Sequence, residues 1–171
     1  MVKINKIKGK IFPELNNSSG SDGDRQTMSD KCQNIGIKDI IKKDVVTISE
    51  DDLIVDIINM FTSHRFHSYP VLNAKGKLTG VINQNTILKI MLFHIVPQTG
   101  HTNLALKSLS NDAKGIMDPH PIKVSLDSNL CDVAKMMVKH NVNQVFAVDN
   151  DRLIGIVSKL DVINEIYKIR G

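Results

Sequence analysis

A chain of 171 residues with 42% apolar and 23% charged side chains is long enough to bury a core without staples, which argues against the disordered and disulfide-scaffold classes. With no Trp and only 4% aromatic residues, that core has to be built from Ile, Leu, Val and Met. The net charge of +4 is mild and gathers partly in Lys3, Lys6, Lys8 and Lys10, which reads as a solvated basic tail rather than the dense stripe of a nucleic-acid binder.

In chain order, residues 1–33 read as a flexible basic and polar tail, and the run NNSSGSDGD at 16–24 has nothing with which to pack. No hydrophobic stretch follows the first lysines, so they do not read as a secretory signal. Cys32 stands 99 positions before Cys131, and neither has a CxxC or His partner at metal-ligand spacing. The expectation is two unpaired thiols, no zinc site, and a reducing, cytoplasmic compartment.

Val45 to Ile48 is a short β-branched run, read as a strand. Ile54, Ile57, Ile58 and Phe61 then follow i, i+3, i+4, i+7 spacing, the buried stripe of a helix that Asp51 or Asp52 is placed to cap. Tyr69 to Leu72 and Leu78 to Ile82 form a hairpin pair around Asn73-Ala74-Lys75-Gly76. A second helix is expected from Thr86 to Ile95. The apolar run Ile87 to Val96 is broken by Lys89 and His94 and is too short to span a bilayer. Pro97 to Gly100 ends this helix, and 98–112 reads as a linker with one helical turn around Leu104 to Leu109.

The same order then returns. Shifted by 76 positions, Lys38, Ile40, Ser49, Asp56 and His64 fall on Lys114, Ile116, Ser125, Asp132 and His140. After the hairpin turn the shift becomes 75, and Leu78 and Gly80 fall on Leu153 and Gly155. Ile122 to Val124 is the second short strand. Leu130, Val133, Ala134 and Met137 repeat the helical stripe, with Asp127 or Ser128 as cap. Val145 to Val148 and Leu153 to Val157 repeat the hairpin around Asp149 to Arg152, and a helix closes the copy from Asp161 to Ile169. A unit of about 55 to 60 residues buries too little surface alone, so the copies are expected to cover each other. The fold class is therefore α+β, two β-α-β-β-α repeats packed about a pseudo-twofold axis.

These two segments, 34–97 and 113–171, resemble the CBS motif, the first in its opening, helix, Pro70-Val71 strand and closing glycine and the second from end to end, and together they span most of the 171 residues. The resemblance implies a tandem (Bateman) module that is not an enzyme and requires no cofactor. It implies a cleft for an adenosine-type ligand, AMP, ADP, ATP or S-adenosylmethionine, whose binding is relayed to a regulated partner. Homodimerisation is also implied. In the family a Gly-h-h-Ser/Thr-x-x-Asp segment contacts the ribose. The second copy carries it as Gly155-Ile156-Val157-Ser158-Lys159-Leu160-Asp161, whereas the first reads Gly80-Val81-Ile82-Asn83-Gln84-Asn85-Thr86.

A neutral threonine hydroxyl in place of the carboxylate gives up charge-assisted bonds, at about 2 kcal/mol or some thirtyfold in affinity. One competent nucleotide cleft is thus expected: Asp161 for the ribose, Ser158 and Lys159 for phosphate, and Asp44, Ser49, Phe66, His67 and Tyr69 as the opposite wall, with Arg65 an auxiliary cation. Standing alone, Ser158-x-x-Asp161 also reads as a helix capping box. The second, degenerate cleft is framed by Asn83, Thr86, His120, Val142 and Asn143. His64-x-x-His67 lacks further ligands for a metal, and no nucleophile–base signature is present. The competing reading is a dimeric interaction scaffold or nucleic-acid-binding module with vestigial clefts; no membrane partner is expected.

Overall fold

The computed structural model describes residues 22–95 and 110–170. The basic stretch of Lys3 to Lys10, the polar run up to residue 21, and the linker expectations at 97–109 lie outside them. Each half builds a three-stranded sheet. In the first, β1 (Ile48–Ser49) runs parallel to β2 (Ser68–Leu72), which pairs antiparallel with β3 (Leu78–Asn83). In the second, β4 (Lys123–Val124), β5 (Gln144–Asp149) and β6 (Arg152–Ser158) repeat that order. The helices are α1 (Asp22–Asn34), α2 (Ile54–Ser63), α3 (Gln84–Ile95), the single turn α4 (Ala113–Ile116), α5 (Leu130–Lys139) and α6 (Lys159–Arg170).

The residue lost between copies lies in the hairpins. Leu72 pairs with Leu78 in the first and Val148 with Leu153 in the second, so the second connection is one residue shorter. In the longer turn Asn73 Oδ1 accepts from the amides of Lys75 and Lys77, and Gly76 adopts φ +72°. The shorter turn places Asn150 and Asp151 at φ +47° and +63°, the two positive values of a type I′ hairpin.

Both helical stripes are buried as expected: Ile57 in α2 and Leu130, Val133 and Met137 in α5 sit in the cores, with Ile54, Ile58, Phe61 and Ala134 packed at their margins. The caps differ. Leu53 occupies the N-cap of α2 without a side-chain bond, and Asp52 instead accepts from the Ser49 amide at 2.8 Å. For α5 the cap is Asn129, whose side chain accepts from Asp132 N at 2.9 Å. The preceding tight turns place those residues, rather than the aspartates before them, at the first free amides.

The two cores exchange their first elements. A 3-10 turn, Ile37–Asp39, precedes the first repeat, yet Ile37 is fully buried in the second core among Val124, Leu130, Val133 and Val157. Reciprocally, Ala113 and Ile116 of α4 are fully buried in the first core with Ile48, Ile57 and Val71. The backbone bridges share this symmetry: Gly36 pairs with Asn129, and Asp112 with Leu53. The hairpin tips meet as well, where Leu78 N donates to Asp151 O at 2.9 Å. Neither repeat has a complete core without the other copy's entry segment.

Residues 22–33, expected within a flexible tail, lie in α1, which packs on α5 and α6. This helix also corrects the reading of the cysteines. It brings Cys32 to Cys131 on α5 with Cα atoms 5.4 Å apart, and the two form a disulfide. The spacing in sequence was uninformative because the partner surface exists only once α1 docks. The inference of a reducing compartment, drawn from two free thiols, loses its basis. Among the described residues no helix is long and apolar enough to cross a membrane.

Candidate functional site

Glycines at equivalent places decide how the repeats meet. The chain entering the first copy crosses β6 as an antiparallel bridge, Lys42 N to Ile156 O and Ile156 N to Lys42 O, both 2.9 Å. A Cβ on Gly155 would lie 2.5 Å from Lys42 O, so only glycine leaves room for this crossing. The mirror-related bridge joins Val81 and Asp118 through two 2.9 Å bonds, with Gly80 beneath it. Lys42 and Asp118 therefore occupy the same position in the two halves, each at the mouth of the other copy's strand-to-helix junction.

At the β6–α6 junction Ser158 and Asp161 form a reciprocal cap. Ser158 N donates to Asp161 Oδ2 at 3.1 Å, Asp161 N donates to Ser158 Oγ at 3.2 Å, and the serine hydroxyl donates to the same Oδ2. The capping-box geometry is thus realised, and it occupies one carboxylate oxygen. The other, Oδ1, holds the Lys42 ammonium at 2.8 Å. The Asp161 side chain is 17% exposed, that of Lys42 59%. Burial pushes the Asp161 pKa up, but the bonds from Lys42 and from the Ser158 hydroxyl and amide outweigh it and hold the carboxyl below its ordinary range. The result is an ionised carboxylate aimed at the strap that carries Lys42. Lys159, half-buried, begins α6, and its amide donates to Asn143 O at 2.7 Å.

The junction β3–α3 is built differently. Asn83 Oδ1 accepts from Thr86 N at 2.9 Å and from Thr86 Oγ1 at 3.2 Å, so threonine is consumed by the cap. Beside it opens a cavity of about 420 Å³ lined by His67, Asn83, Asp118, His120, Val142 and Asn143, among others. Asn83, His120, Val142 and Asn143 were expected there. Asp118 accepts from the His120 amide at 3.0 Å.

The expected opposite wall of the Asp161 cleft is largely redistributed. His67 lines the Asn83 cavity instead, because the starts of β2 and β5 meet at the axis, where Gln144 Nε2 donates to Ser68 O at 3.1 Å. Tyr69 is a core residue, 1% exposed, edge-on to Phe61 and donating its hydroxyl to Met60 O at 3.1 Å. Phe66 remains exposed, stacked on His64. Ser49 serves the turn into α2, its hydroxyl accepting from Asp51 N at 3.4 Å. Asp44 is exposed, two residues beyond Lys42, and it is Lys42 that reaches Asp161. Lys42 was missed because its partner lies 119 positions away; its one available signal was its place at a shift of 76 from Asp118.

The family profile described as CBS domain matches residues 37–92 and 113–168. This chain belongs to the CBS-domain family. An uncharacterised protein of Methanocaldococcus jannaschii is 32% identical over 152 aligned residues, which cover 76% of this chain and 90% of that one. A chloroplastic CBS domain-containing protein of Arabidopsis thaliana, CBSX1, is 23% identical over 75% of this chain and 62% of its own length. Among solved structures, CBSX2 in complex with AMP superposes with a TM-score of 0.68 at 18% identity, covering 81% of this chain and all of that one. The CBS domain pair of protein MJ0100 in complex with 5-methylthioadenosine and S-adenosyl-L-methionine gives 0.62 at 25% identity, covering 80% and 98%. Each CBS repeat here thus has the family fold, with the entry strap of one crossing the Gly-h-h-Ser or Gly-h-h-Asn segment of the other.

Proposed function

We propose that this CBS pair is a non-catalytic regulatory module that binds an adenosine-containing ligand at Asp161 and conveys its occupancy to a partner protein. The observation that carries the reading is the Asp161 carboxylate itself. It is ionised, fixed by the cap through Oδ2, and offers Oδ1 to a surface ammonium that ribose hydroxyls can displace. The ligands named for two structural neighbours, AMP in one and methylthioadenosine with S-adenosylmethionine in the other, support this ligand class. Asp161 belongs to the second repeat and Lys42 to the strap of the first, so a ligand between them touches both copies. Binding would shift how the repeats pack, and a partner reads that shift through its differential affinity for the two states.

Calorimetric titration with AMP, ADP, ATP and S-adenosylmethionine tests the reading. At least one is expected to bind, and Asp161→Ala to weaken it by about 2 kcal/mol, some thirtyfold. No heat from any of the four, or an affinity indifferent to Asp161→Ala, overturns it.

A homodimer belongs to the same reading. The closing helices α3 and α6 turn Leu88, Met91, Leu92 and Ile95, and Leu160, Ile163 and Tyr167, towards solvent. Related apolar faces on both copies suit a second module. Sedimentation equilibrium is expected to give twice the chain mass and Ile163→Glu to return it to one; a wild-type chain that stays monomeric across the concentration range removes the dimer.

A further inference from the structure

The two halves carry opposite charge at one structural position. Lys42 and Asp118 are bridged to the equivalent residues Ile156 and Val81 by the same pair of hydrogen bonds, so their side chains leave the backbone at corresponding points. At the second repeat's strand-to-helix junction the ammonium of Lys42 pairs with the Asp161 carboxylate; at the first repeat's junction Asp118 lines the cavity beside the neutral Asn83–Thr86 cap. The cavity beside Asn83 has Asp118 and three histidines, His67, His120 and His140, on its wall and, among the described residues, no lysine or arginine.

We infer that Lys42 is the residue that selects a phosphate-bearing adenosine ligand for the Asp161 cleft, over an uncharged nucleoside or a sulfonium. The inference rests on the nucleotide reading of Asp161. When ribose hydroxyls take Oδ1, the ammonium is released at the cleft mouth on a flexible four-carbon stem. A 5′-phosphate lies one ribose ring from the hydroxyls on Asp161, within the sweep of that stem, and a charge-assisted bond replaces the ion pair lost. An uncharged nucleoside must displace Lys42 with nothing to receive it. A sulfonium adds like-charge repulsion.

The test compares AMP, adenosine and S-adenosylmethionine on wild type, Lys42→Ala and Lys42→Arg by calorimetry, with thermal melts to confirm that each variant is folded. Lys42→Ala is expected to weaken AMP about tenfold while leaving adenosine equal or tighter and S-adenosylmethionine tighter, and Lys42→Arg to retain the AMP preference. A ratio of AMP to adenosine affinity that survives Lys42→Ala overturns the inference while leaving the nucleotide reading intact. Failure of all three, and of ADP and ATP, to bind the wild type overturns both.

Discussion

Ile37→Ala will lower the stability of the whole module by about 2–4 kcal/mol, the usual cost of truncating a fully buried isoleucine. The size follows from where the side chain lies. Ile37 is 0% exposed in a core otherwise supplied by residues 122–169, with Cys32, Ile35, Ile40 and Ile41 from the same strap at its margin. Alanine leaves a void that Val124, Leu130 and Val133 can close only by shifting the second sheet. The strap also carries Lys42, five residues further on, so its loosening is expected to weaken ligand binding at Asp161 as well. Urea unfolding with an unchanged slope is the measurement. A cost below about 1 kcal/mol would mean that the strap is not seated in the second core in solution.

Reduction of the Cys32–Cys131 disulfide is expected to have a comparable effect. The bond joins positions 99 apart and closes a loop that holds the whole first repeat and the start of the second, and cross-linking so long a loop removes much of the unfolded chain's freedom. Chain-entropy reasoning puts the ceiling near 5 kcal/mol, and native disulfides commonly deliver about 2–4 kcal/mol. For a chain of this length that corresponds to a fall in Tm of about 5–15 °C on adding a dithiol reductant. The double variant Cys32→Ser/Cys131→Ser should melt at the reduced temperature and ignore the reductant. Two titratable thiols in the denatured, unreduced protein, together with no shift on reduction, would refute the pairing.

Much of the fold was legible before any coordinates. The stripe of Ile54, Ile57, Ile58 and Phe61 and its counterpart Leu130, Val133, Ala134 and Met137 declared two helices in one register, because burial of one helix face leaves a periodic trace. Hairpins declared themselves through Asn73 to Gly76 and Asp149 to Arg152, where turn chemistry is local. The strand and helix limits missed by only a few residues, since element ends depend on capping partners supplied by neighbours. Asp52 and Asp127 were plausible caps by position, and the chain turned so that Leu53 and Asn129 took those places.

The site was legible only where its contacts are local. Ser158 and Asp161 are three residues apart, and their reciprocal bonds follow from the motif; so does the Asn83–Thr86 cap. Tyr69 shows the opposite case. An aromatic at a strand start reads equally as a ligand wall or as core, and only the packing of Phe61 and the carbonyl of Met60 against it settled the matter.

The sequence by itself determined the repeat, the element order within it, and the loss of the acidic residue from one of two related junctions. Those properties are written in spacings of a few residues or in a single fixed offset. The tertiary structure alone decided that Ile37 and Ala113 trade cores, that Cys32 meets Cys131, and that Lys42 rather than Asp44 answers Asp161. The physical reason is shared. Each of these contacts joins segments that belong to different repeats or their entry straps, brought together by apolar surface that neither repeat can bury alone, and burial of that kind leaves no periodic mark on the residues it unites.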